Sequence, residues 1–260
     1  MRKTVRQEAI LAQVVRDGRV VVEELAARLG VSGMTVRRDL AELADAGKLN
    51  RVHGGALASR SGVVGFSFRE RANAMAAEKH AIAQRVARMI QPGSSVSLDT
   101  GTTTLEVAKA LVNMRNIRVL TTSLAIASVL HTSEGVEVIL LGGIVRKTSP
   151  DMWGPVTEEN INKFRVHLAV LGTDAVTPTG LYTTDVSISR VSRALIDNAK
   201  ESVVVADSSK FYRTAFVQHA SLSDITRLVT DEGCPHDARV WLEKAVKDVI
   251  YVPVEKAVIA

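Results

Sequence analysis

The carboxyl-terminal part of the chain contains six short apolar runs rich in β-branched residues, and amphipathic stretches separate them. Strands that alternate with helical patterns are typical of βαβ units, whose strands lie parallel in one sheet. The runs cover residues 96–98, 119–120, 136–141, 168–171, 203–206 and 227–230. This alternation predicts an α/β fold with a mostly parallel sheet.

Small or polar residues follow five of these runs, directly where each predicted strand ends. In parallel sheets, this carboxyl edge is where loops and the amino ends of the next helices present free N–H groups to ligands. The segments are Asp99 to Thr104, Thr121 to Ser123, Gly142 and Gly143, Gly172 to Asp174, and Asp207 to Lys210. The sequence therefore predicts a ligand site at this edge.

The segment "DTGTTT" is the most suggestive of the five. Gly101 allows close approach of the backbone, Thr102, Thr103 and Thr104 add hydroxyl donors, and a helical pattern begins at once, so an anion could lie against the helix dipole. The spacing is neither that of a P-loop nor that of a dinucleotide-binding fingerprint. A capped turn without a ligand is an equal alternative. Similarly, Lys210 could neutralise a phosphate, although most loop lysines are simply solvated.

The first 57 residues contain three amphipathic helical patterns. The second pattern stops at Gly30, and Ser32 can cap a third helix that ends near Gly47. Only a tight turn fits between these two helices, which is the spacing of a helix-turn-helix.

One face of the third helix is apolar, because Val36, Leu40 and Leu43 fall on the same side at about 100° per residue. The other side of its first turns carries Met34, Thr35, Arg37 and Arg38. Arginine can hold guanine O6 and N7 with two hydrogen bonds or grip a phosphate, so this face suits the major groove of DNA. The alternative is that the two arginines are surface charges paired with acidic residues of the same helix.

The segment after the third helix indicates a wing. Residues 49–52 can pair with residues 20–22, and the Gly54-Gly55 turn would leave Lys48, Arg51 and His53 near the tip. A structural role for His53 is the more common one for a lone histidine. Together these elements predict a winged helix-turn-helix that contacts DNA.

The excess positive charge lies at the amino end. Residues 1–60 contain 11 Lys and Arg against 7 Asp and Glu, whereas residues 61–260 contain 22 against 21. A basic module beside a nearly neutral region suggests a polyanion-binding domain attached to one with another role.

Composition also limits the cellular context. The 260 residues are 46% hydrophobic, which suffices for a buried core and fits two domains. No apolar run approaches the roughly 18 residues of a membrane span, and the charged start lacks a secretory signal. The single cysteine, Cys234, has neither a disulfide partner nor metal-ligand spacing. We expect a cytoplasmic protein without membrane attachment, metal or cofactor.

The stretch "VEELAARLGVSGMTVRRDLAELADAGKLNRVHGGA", residues 22–56, closely resembles the amino-terminal domain of DeoR-type bacterial transcriptional regulators. Its signature is a serine-initiated T-[VI]-R-R-D-L helix followed by a wing that ends in HGGA. The resemblance implies a sequence-specific, operator-binding protein, usually a repressor of sugar or nucleoside catabolism genes.

The later segments resemble, less tightly, the DeoR-type sensor domain. That domain is similar in fold to ribose-5-phosphate isomerases, glucosamine-6-phosphate deaminases and coenzyme A transferases, and it binds phosphorylated sugars. The positions that would line the effector pocket are Asp99, Gly101, Thr102, Thr103, Ser123, Gly142, Gly143, Asp174 and Lys210, with Thr104 in the same loop. Thr122 stands where asparagine is common, Ala175 where glycine is usual, and Ile188 and Ser192 where many members have glutamate and lysine. These departures bear on which effector is bound.

The resulting plan has a DNA-binding domain at residues 1–57, a linker and coupling helix at 58–80, and a sensor domain at 81–260. Arg71 and Lys79 in the connector match similar positions in the family, and a role as solvated charges on an ordinary helix is an equal alternative. Two recognition helices on DNA half-sites imply a homo-oligomer, at least a dimer.

Two alternatives remain. Asp99 or Asp174 could serve as the base of a sugar-phosphate isomerase, but no second catalytic group is evident, so we assign no catalytic residue. A purely architectural DNA-binding protein would leave the polar strand ends unexplained.

Overall fold

The computed structural model describes residues 3–17, 19–45, 49–52, 54–58, 68–147 and 149–254. The chain divides into two compact units, Met1–Ser67 and Phe68–Ala260. Each unit has its own hydrophobic core and is described by itself.

The first unit is a helix-turn-helix with a small sheet. Its elements are α1 (Lys3–Asp17), β1 (Arg19–Val21), α2 (Val22–Leu29), α3 (Gly33–Asp45), β2 (Leu49–Val52) and β3 (Gly55–Ala58). The apolar faces of the three helices meet in one core around Ile10, Leu25 and Leu40, which are at most 1% exposed. Gly30 ends α2 in the left-handed conformation (φ +64°), and its N–H donates to the Ala26 carbonyl oxygen. This glycine makes the tight turn into α3 possible.

The wing is built differently from the prediction. Strand β1 pairs with β3, not with β2, and the strand order is β1-β3-β2. The predicted pairing of residues 49–52 with 20–22 is therefore wrong, and Val22 already belongs to α2. The reason lies at Gly55, where a Cβ atom would stand 2.0 Å from the Val20 carbonyl oxygen. Because glycine has no side chain, β3 can return between the other two strands.

The second unit is an α/β domain. Its first half contains α4 (Phe68–Asn73), α5 (Ala76–Ala87), β4 (Ser95–Leu98), α6 (Thr102–Leu111), β5 (Ile117–Thr121), α7 (Leu124–Leu130), β6 (Val136–Leu140), β7 (Ile144–Val145) and β8 (Met152–Trp153). Its second half contains α8 (Pro155–Asn162), β9 (Val166–Leu171), β10 (Ala175–Thr177), β11 (Gly180–Thr183), α9 (Val186–Asp197), β12 (Ala199–Val205), β13 (Val217–Ala220), β14 (Arg227–Asp231), α10 (His236–Ala245) and β15 (Asp248–Val252).

A parallel sheet forms the centre of this domain, in the order β15-β14-β12-β9-β4-β5-β6 among the described residues. The six predicted strands are all present, and β15 adds a strand that the sequence analysis missed. The chain runs outward from β4 to β6 and then crosses to β9 on the other side of β4. Ligands bind in such sheets where the strand order reverses, which here is between β4 and β9.

Helices cover both faces of the sheet. Successive residues of β9 point to opposite faces, since Val170 packs with Ile82 of α5 and Leu171 packs with Leu195 of α9 in separate clusters. Two small antiparallel additions, β10-β11-β13 and β7-β8, were not predicted. They bring Thr183 and Asp151 to the carboxyl edge of the sheet.

Candidate functional site

The exposed face of α3 has the predicted form. The Ser32 hydroxyl accepts a hydrogen bond from the Thr35 N–H at 3.2 Å and so caps the helix. Val36, Leu40 and Leu43 are buried, whereas Met34 is 70% exposed. The first turns of α3 therefore present their polar side chains to solvent.

Arg37 and Arg38 lie on this face with side chains 51% and 83% exposed. Arg37 approaches Glu23 at 3.7 Å and Arg38 approaches Glu42 at 3.8 Å. Exposed pairs at such distances contribute little to stability, so phosphate or base oxygens can replace these partners at small cost. Arg51 is also exposed, on β2. Lys48 and His53 lie outside the described residues.

Asp39 of α3 points inward, which the sequence analysis missed. Its carboxylate is 3% exposed and accepts hydrogen bonds from Arg6 Nε at 2.5 Å and Nη2 at 3.2 Å. The bond to Asp39 raises the pKa of Arg6. Beside this pair, Gln7 and Lys3 contact the Glu42 carboxylate at 2.8 and 2.6 Å. Polar side chains of α1 thus hold α3 from behind its exposed face.

In the sensor domain, Asp99 directly follows β4 and is 1% exposed. Its oxygens accept hydrogen bonds from the Thr100 N–H and the Ser192 hydroxyl, each at 2.7 Å. Burial raises the pKa of Asp99 to about 7. The departure at Ser192 therefore has a physical consequence, because a hydroxyl and not a cation faces this carboxyl group.

The glycine and the three threonines of the same loop form the start of α6. Gly101 has φ +151° and serves as the cap residue, and the Thr104 hydroxyl donates to its carbonyl oxygen at 3.0 Å. Thr102 and Thr103 are mostly buried at the first two helical positions. Their backbone N–H groups have no partner within the helix, as at any helix start. The loop can therefore offer N–H donors to an anion.

The other predicted positions on this side have structural contacts of their own. The fully buried Ser123 caps α7 by accepting a hydrogen bond from the Ile126 N–H at 3.3 Å. Gly143 has φ +125°, and a Cβ atom there would lie 1.9 Å from the Thr157 hydroxyl oxygen. Gly142 accepts a hydrogen bond from that hydroxyl at 2.7 Å. Packing against α8 explains both glycines without a ligand.

A buried ion pair, Arg146 with Asp151, joins the site and was not predicted. Arg146 Nε and Nη2 donate to the two Asp151 oxygens at 2.7 and 2.6 Å, and Nη1 lies 3.6 Å from Asp185. Although burial lowers it, the hydrogen bond to Asp151 raises the pKa of Arg146. Thr100 also donates to Asp151, at 2.5 Å. Neither charged residue directly follows a predicted strand, so no local pattern indicated this pair.

Asp174 follows β9, on the opposite side of the strand reversal from Asp99. One oxygen accepts hydrogen bonds from Thr183 and Thr184, and the other lies 4.0 Å from Arg71 Nη1. Burial opposes ionisation, but Lys210 and the Thr184 N–H together hold the pKa of Asp174 below its usual value. Asp174 is therefore a carboxylate with one oxygen only loosely engaged.

Lys210 lies in a short 3₁₀ turn after β12. Burial lowers the pKa of its ammonium, and nearby Asp207 and Asp174 act against that shift. In the part of the chain that the structure describes, no carboxylate forms an ion pair with Lys210. Lys210 is half-buried, and a partly desolvated cation without a close partner is stabilised when an anion binds.

Several buried polar atoms around this edge lack a hydrogen-bond partner among the described residues. They are Arg71 Nε, Thr122 Oγ1, Ser149 Oγ, Asp207 Oδ2 and His219 Nδ1. Buried polar atoms usually have a hydrogen-bond partner. Hydrogen-bond donors, acceptors and cations thus lie together at the carboxyl edge.

A helix-turn-helix with exposed arginines, followed in the chain by an α/β domain with polar and charged residues at the carboxyl edge of its sheet, is the architecture of a ligand-responsive DNA-binding regulator. The sequence matches the DeoR-like helix-turn-helix domain over residues 6–61 and the DeoR C terminal sensor domain over residues 74–232. The chain belongs to the DeoR family of transcriptional regulators.

Relatives of this family are similar along most of the chain. The glycerol-3-phosphate regulon repressor of Escherichia coli (strain K12) is 37% identical, over 90% of this chain and 93% of its own. The HTH-type transcriptional repressor CsqR of the same organism is 33% identical, over 97% and 96%. Both are transcriptional repressors by name, and the present chain is a DNA-binding transcriptional regulator of the same family.

Among solved structures, ribose 5-phosphate isomerase A from Methanocaldococcus jannaschii is similar at 20% identity and a TM-score of 0.38. The match covers 51% of this chain and 53% of that one. No helix among the described residues is both long and apolar enough to cross a membrane.

Proposed function

We propose that this regulator is a cytoplasmic repressor of sugar or nucleoside catabolism genes that binds operator DNA as a dimer or larger homo-oligomer and responds to a phosphorylated sugar. The observation that carries the proposal is the presence, in one chain, of two separate groups of cations suited to different anions. Exposed guanidinium groups on α3 suit a polyanion, and the unfilled cation Lys210 at the carboxyl edge suits a small anion. The name of the glycerol-3-phosphate regulon repressor supports a phosphorylated ligand.

In this proposal α3 enters the major groove. Arg37 and Arg38 contact guanine edges or phosphates, and the wing grips the adjacent backbone. The proposed DNA contacts are Ser32, Met34, Thr35, Arg37, Arg38 and Arg51, together with Lys48 and His53. Two copies on half-sites one helical turn apart would read a palindromic operator.

The effector would lie across the point where the strand order reverses. Its phosphoryl group would bind the amino end of α6 and Lys210, and its hydroxyl groups would donate to Asp99 and Asp174. The proposed effector contacts are Asp99, Gly101, Thr102, Thr103, Thr104, Ser123, Gly142, Gly143, Asp174 and Lys210. Preferential binding to one domain arrangement would change operator affinity by about 1–3 kcal/mol, a typical coupling energy.

Two measurements test this proposal. Footprinting on the DNA around the gene should protect a short palindromic site, and a thermal-shift panel of sugar phosphates should raise the melting temperature with at least one compound. That compound should change operator affinity in a titration at fixed salt. Absence of a protected site, or multiple turnovers with a panel compound, would overturn the proposal.

A further inference from the structure

Arg71, like Lys210, has few partners for a charged group at the effector edge. Its closest carboxylate contact is Nη1 to Asp174 Oδ1 at 4.0 Å, and its Nε is buried without a hydrogen-bond partner. The guanidinium also lies 5.9 Å from the Phe68 ring centroid. Arg146, in the same domain, uses Nε and Nη2 on one carboxylate. The Arg71 fork is therefore available to an anion that can accept two hydrogen bonds.

The backbone of Arg71, in contrast, is firmly held. Lys79 of α5 is 3% exposed, and its ammonium donates to the carbonyl oxygens of Arg71, at 2.8 Å, and of Ala74. The same ammonium pairs with Asp207 Oδ2 at 3.8 Å. Asp207 begins the turn that carries Lys210. Lys79 thus ties α4 to the Lys210 turn, and only the head group of Arg71 remains unfilled.

Two cations of this corner, Arg71 and Lys210, act on the single carboxylate Asp174. The other charged groups have partners of their own: Lys79 pairs with Asp207, and Arg146 pairs with Asp151 and Asp185. A phosphoryl group carries a charge of about −1.5 to −2 at neutral pH and presents three acceptor oxygens. Such a group would satisfy both Arg71 and Lys210.

We propose that Arg71 is an effector ligand that grips the phosphoryl group together with Lys210, so that the effector binds between α4 and the carboxyl edge. This inference rests on the proposed function and identifies the phosphoryl group as the part of the ligand that α4 recognises. Helix α4 begins at Phe68, the first residue of the second unit.

The test uses the full-length protein and inorganic phosphate as the probe. Calorimetry should give a dissociation constant that rises about 10-fold or more in Arg71→Gln, and by less in Arg71→Lys, which keeps the charge but loses the fork. Arg118→Gln is the matched control, since Arg118 pairs with Glu137 at the surface on β5. It should bind phosphate like the wild type, and urea unfolding should confirm that all variants are folded.

The outcomes separate this inference from the proposed function. If Lys210→Ala loses phosphate and Arg71→Gln does not, the effector site stands and the role of Arg71 is refuted. If neither variant changes phosphate binding, or the wild type binds none, both proposals fail. With a sugar phosphate found in the panel, Arg71→Gln should also bring the ratio of operator affinities, with and without ligand, toward one. A ratio equal to the wild type's would refute this role of Arg71.

Discussion

Each unit of the molecule contains an arginine–aspartate pair, and the two pairs differ in distance and in the hydrogen bonds that they form. In the DNA-binding unit, Arg6 makes two hydrogen bonds to the buried Asp39. In the sensor unit, Arg71 approaches Asp174 only at 4.0 Å and leaves a buried nitrogen unbonded. The same two residue types thus form a closed pair in one place and an open one in the other.

The difference is consistent with the role proposed for each unit. The closed pair lies behind α3, so its hydrogen bonds fix the helix while the arginines in front remain exposed. The open pair lies where a ligand is expected, and its unused hydrogen-bonding capacity is available to that ligand. Removing one partner of a closed buried pair leaves a costly uncompensated charge. Removing a group from the open site should cost binding more than stability.

The largest effect is expected when a cation of the proposed effector site, Lys210, is removed. Lys210→Ala should weaken binding of the sugar phosphate by roughly 100-fold and abolish its effect on operator affinity, because a charge-assisted bond is lost. DNA binding without effector should be unchanged. Lys200→Ala, at an exposed lysine at the start of β12, is the control. A normal effector response in Lys210→Ala would contradict the assignment.

On the DNA side, Arg38→Ala should lower operator affinity by about 10-fold and leave effector binding intact. Arg38→Lys sharpens the measurement, because lysine keeps the phosphate attraction but cannot hold guanine with two bonds. Titrations at several salt concentrations should therefore give Arg38→Lys a wild-type salt dependence with reduced sequence preference. Unchanged operator affinity in Arg38→Ala would remove this residue from the contact surface.

Breaking the pair between Arg6 and Asp39 should lower the stability of the DNA-binding unit. Asp39→Asn leaves Arg6 without its anion and should lower the melting temperature of the DNA-binding unit by about 5 °C or more. Amide hydrogen exchange in the full-length chain would locate the effect in α1 and α3. Asp45→Asn, on the exposed end of α3, should change little. Equal exchange in the two variants would mean that the pair does not hold the helix.

The sequence predicted the periodic parts of this structure and missed those that depend on distant contacts. The buried side of α3 and the six strands follow from local spacing, and so does the carboxyl edge. Asp39 shows the limit, because it stands three residues after Val36 and four before Leu43, on the apolar side, yet its charge suggested the surface. Its partner Arg6 lies 33 positions away. The same holds for Arg146, which the β7-β8 hairpin positions, and for Gly55, whose close approach to β1 sets the strand order of the wing.

The pH dependence of stability tests another buried carboxyl group of the sensor unit, Asp99. The pKa of Asp99 is raised to about 7 in the folded protein from a usual value of 3.8. Between these values the folded state holds a proton that the unfolded state has lost. This residue therefore makes the free energy of unfolding fall as pH rises from about 4 to 7, by at most about 1.4 kcal/mol per pH unit.

Asp99→Asn removes this titration, because an amide stays neutral at every pH. Urea unfolding of both proteins between pH 4.5 and about 7.5 should show the stability of the wild type falling relative to the variant as pH rises. Other carboxylates titrate equally in both chains and cancel in the difference. Parallel curves would mean that Asp99 is ionised throughout, despite its burial.

The smallest effect concerns Glu42, which lies between the side chains of α1 that support α3 and the exposed Arg38. Glu42 meets Lys3 and Gln7 of α1 on one side and Arg38 at 3.8 Å on the other. Glu42→Gln should release Arg38 and remove a negative charge near the DNA, so operator affinity should rise by a few-fold, and less at high salt.

The control is Glu24→Gln in α2, which removes an exposed negative charge without touching Arg38. If both variants raise operator affinity equally, the gain comes from net charge alone and Glu42 has no specific hold on Arg38. If Glu42→Gln instead lowers affinity while hydrogen exchange in α3 increases, Glu42 acts mainly as part of the support from α1. A gain confined to Glu42→Gln would establish that this carboxylate competes with DNA for the arginine.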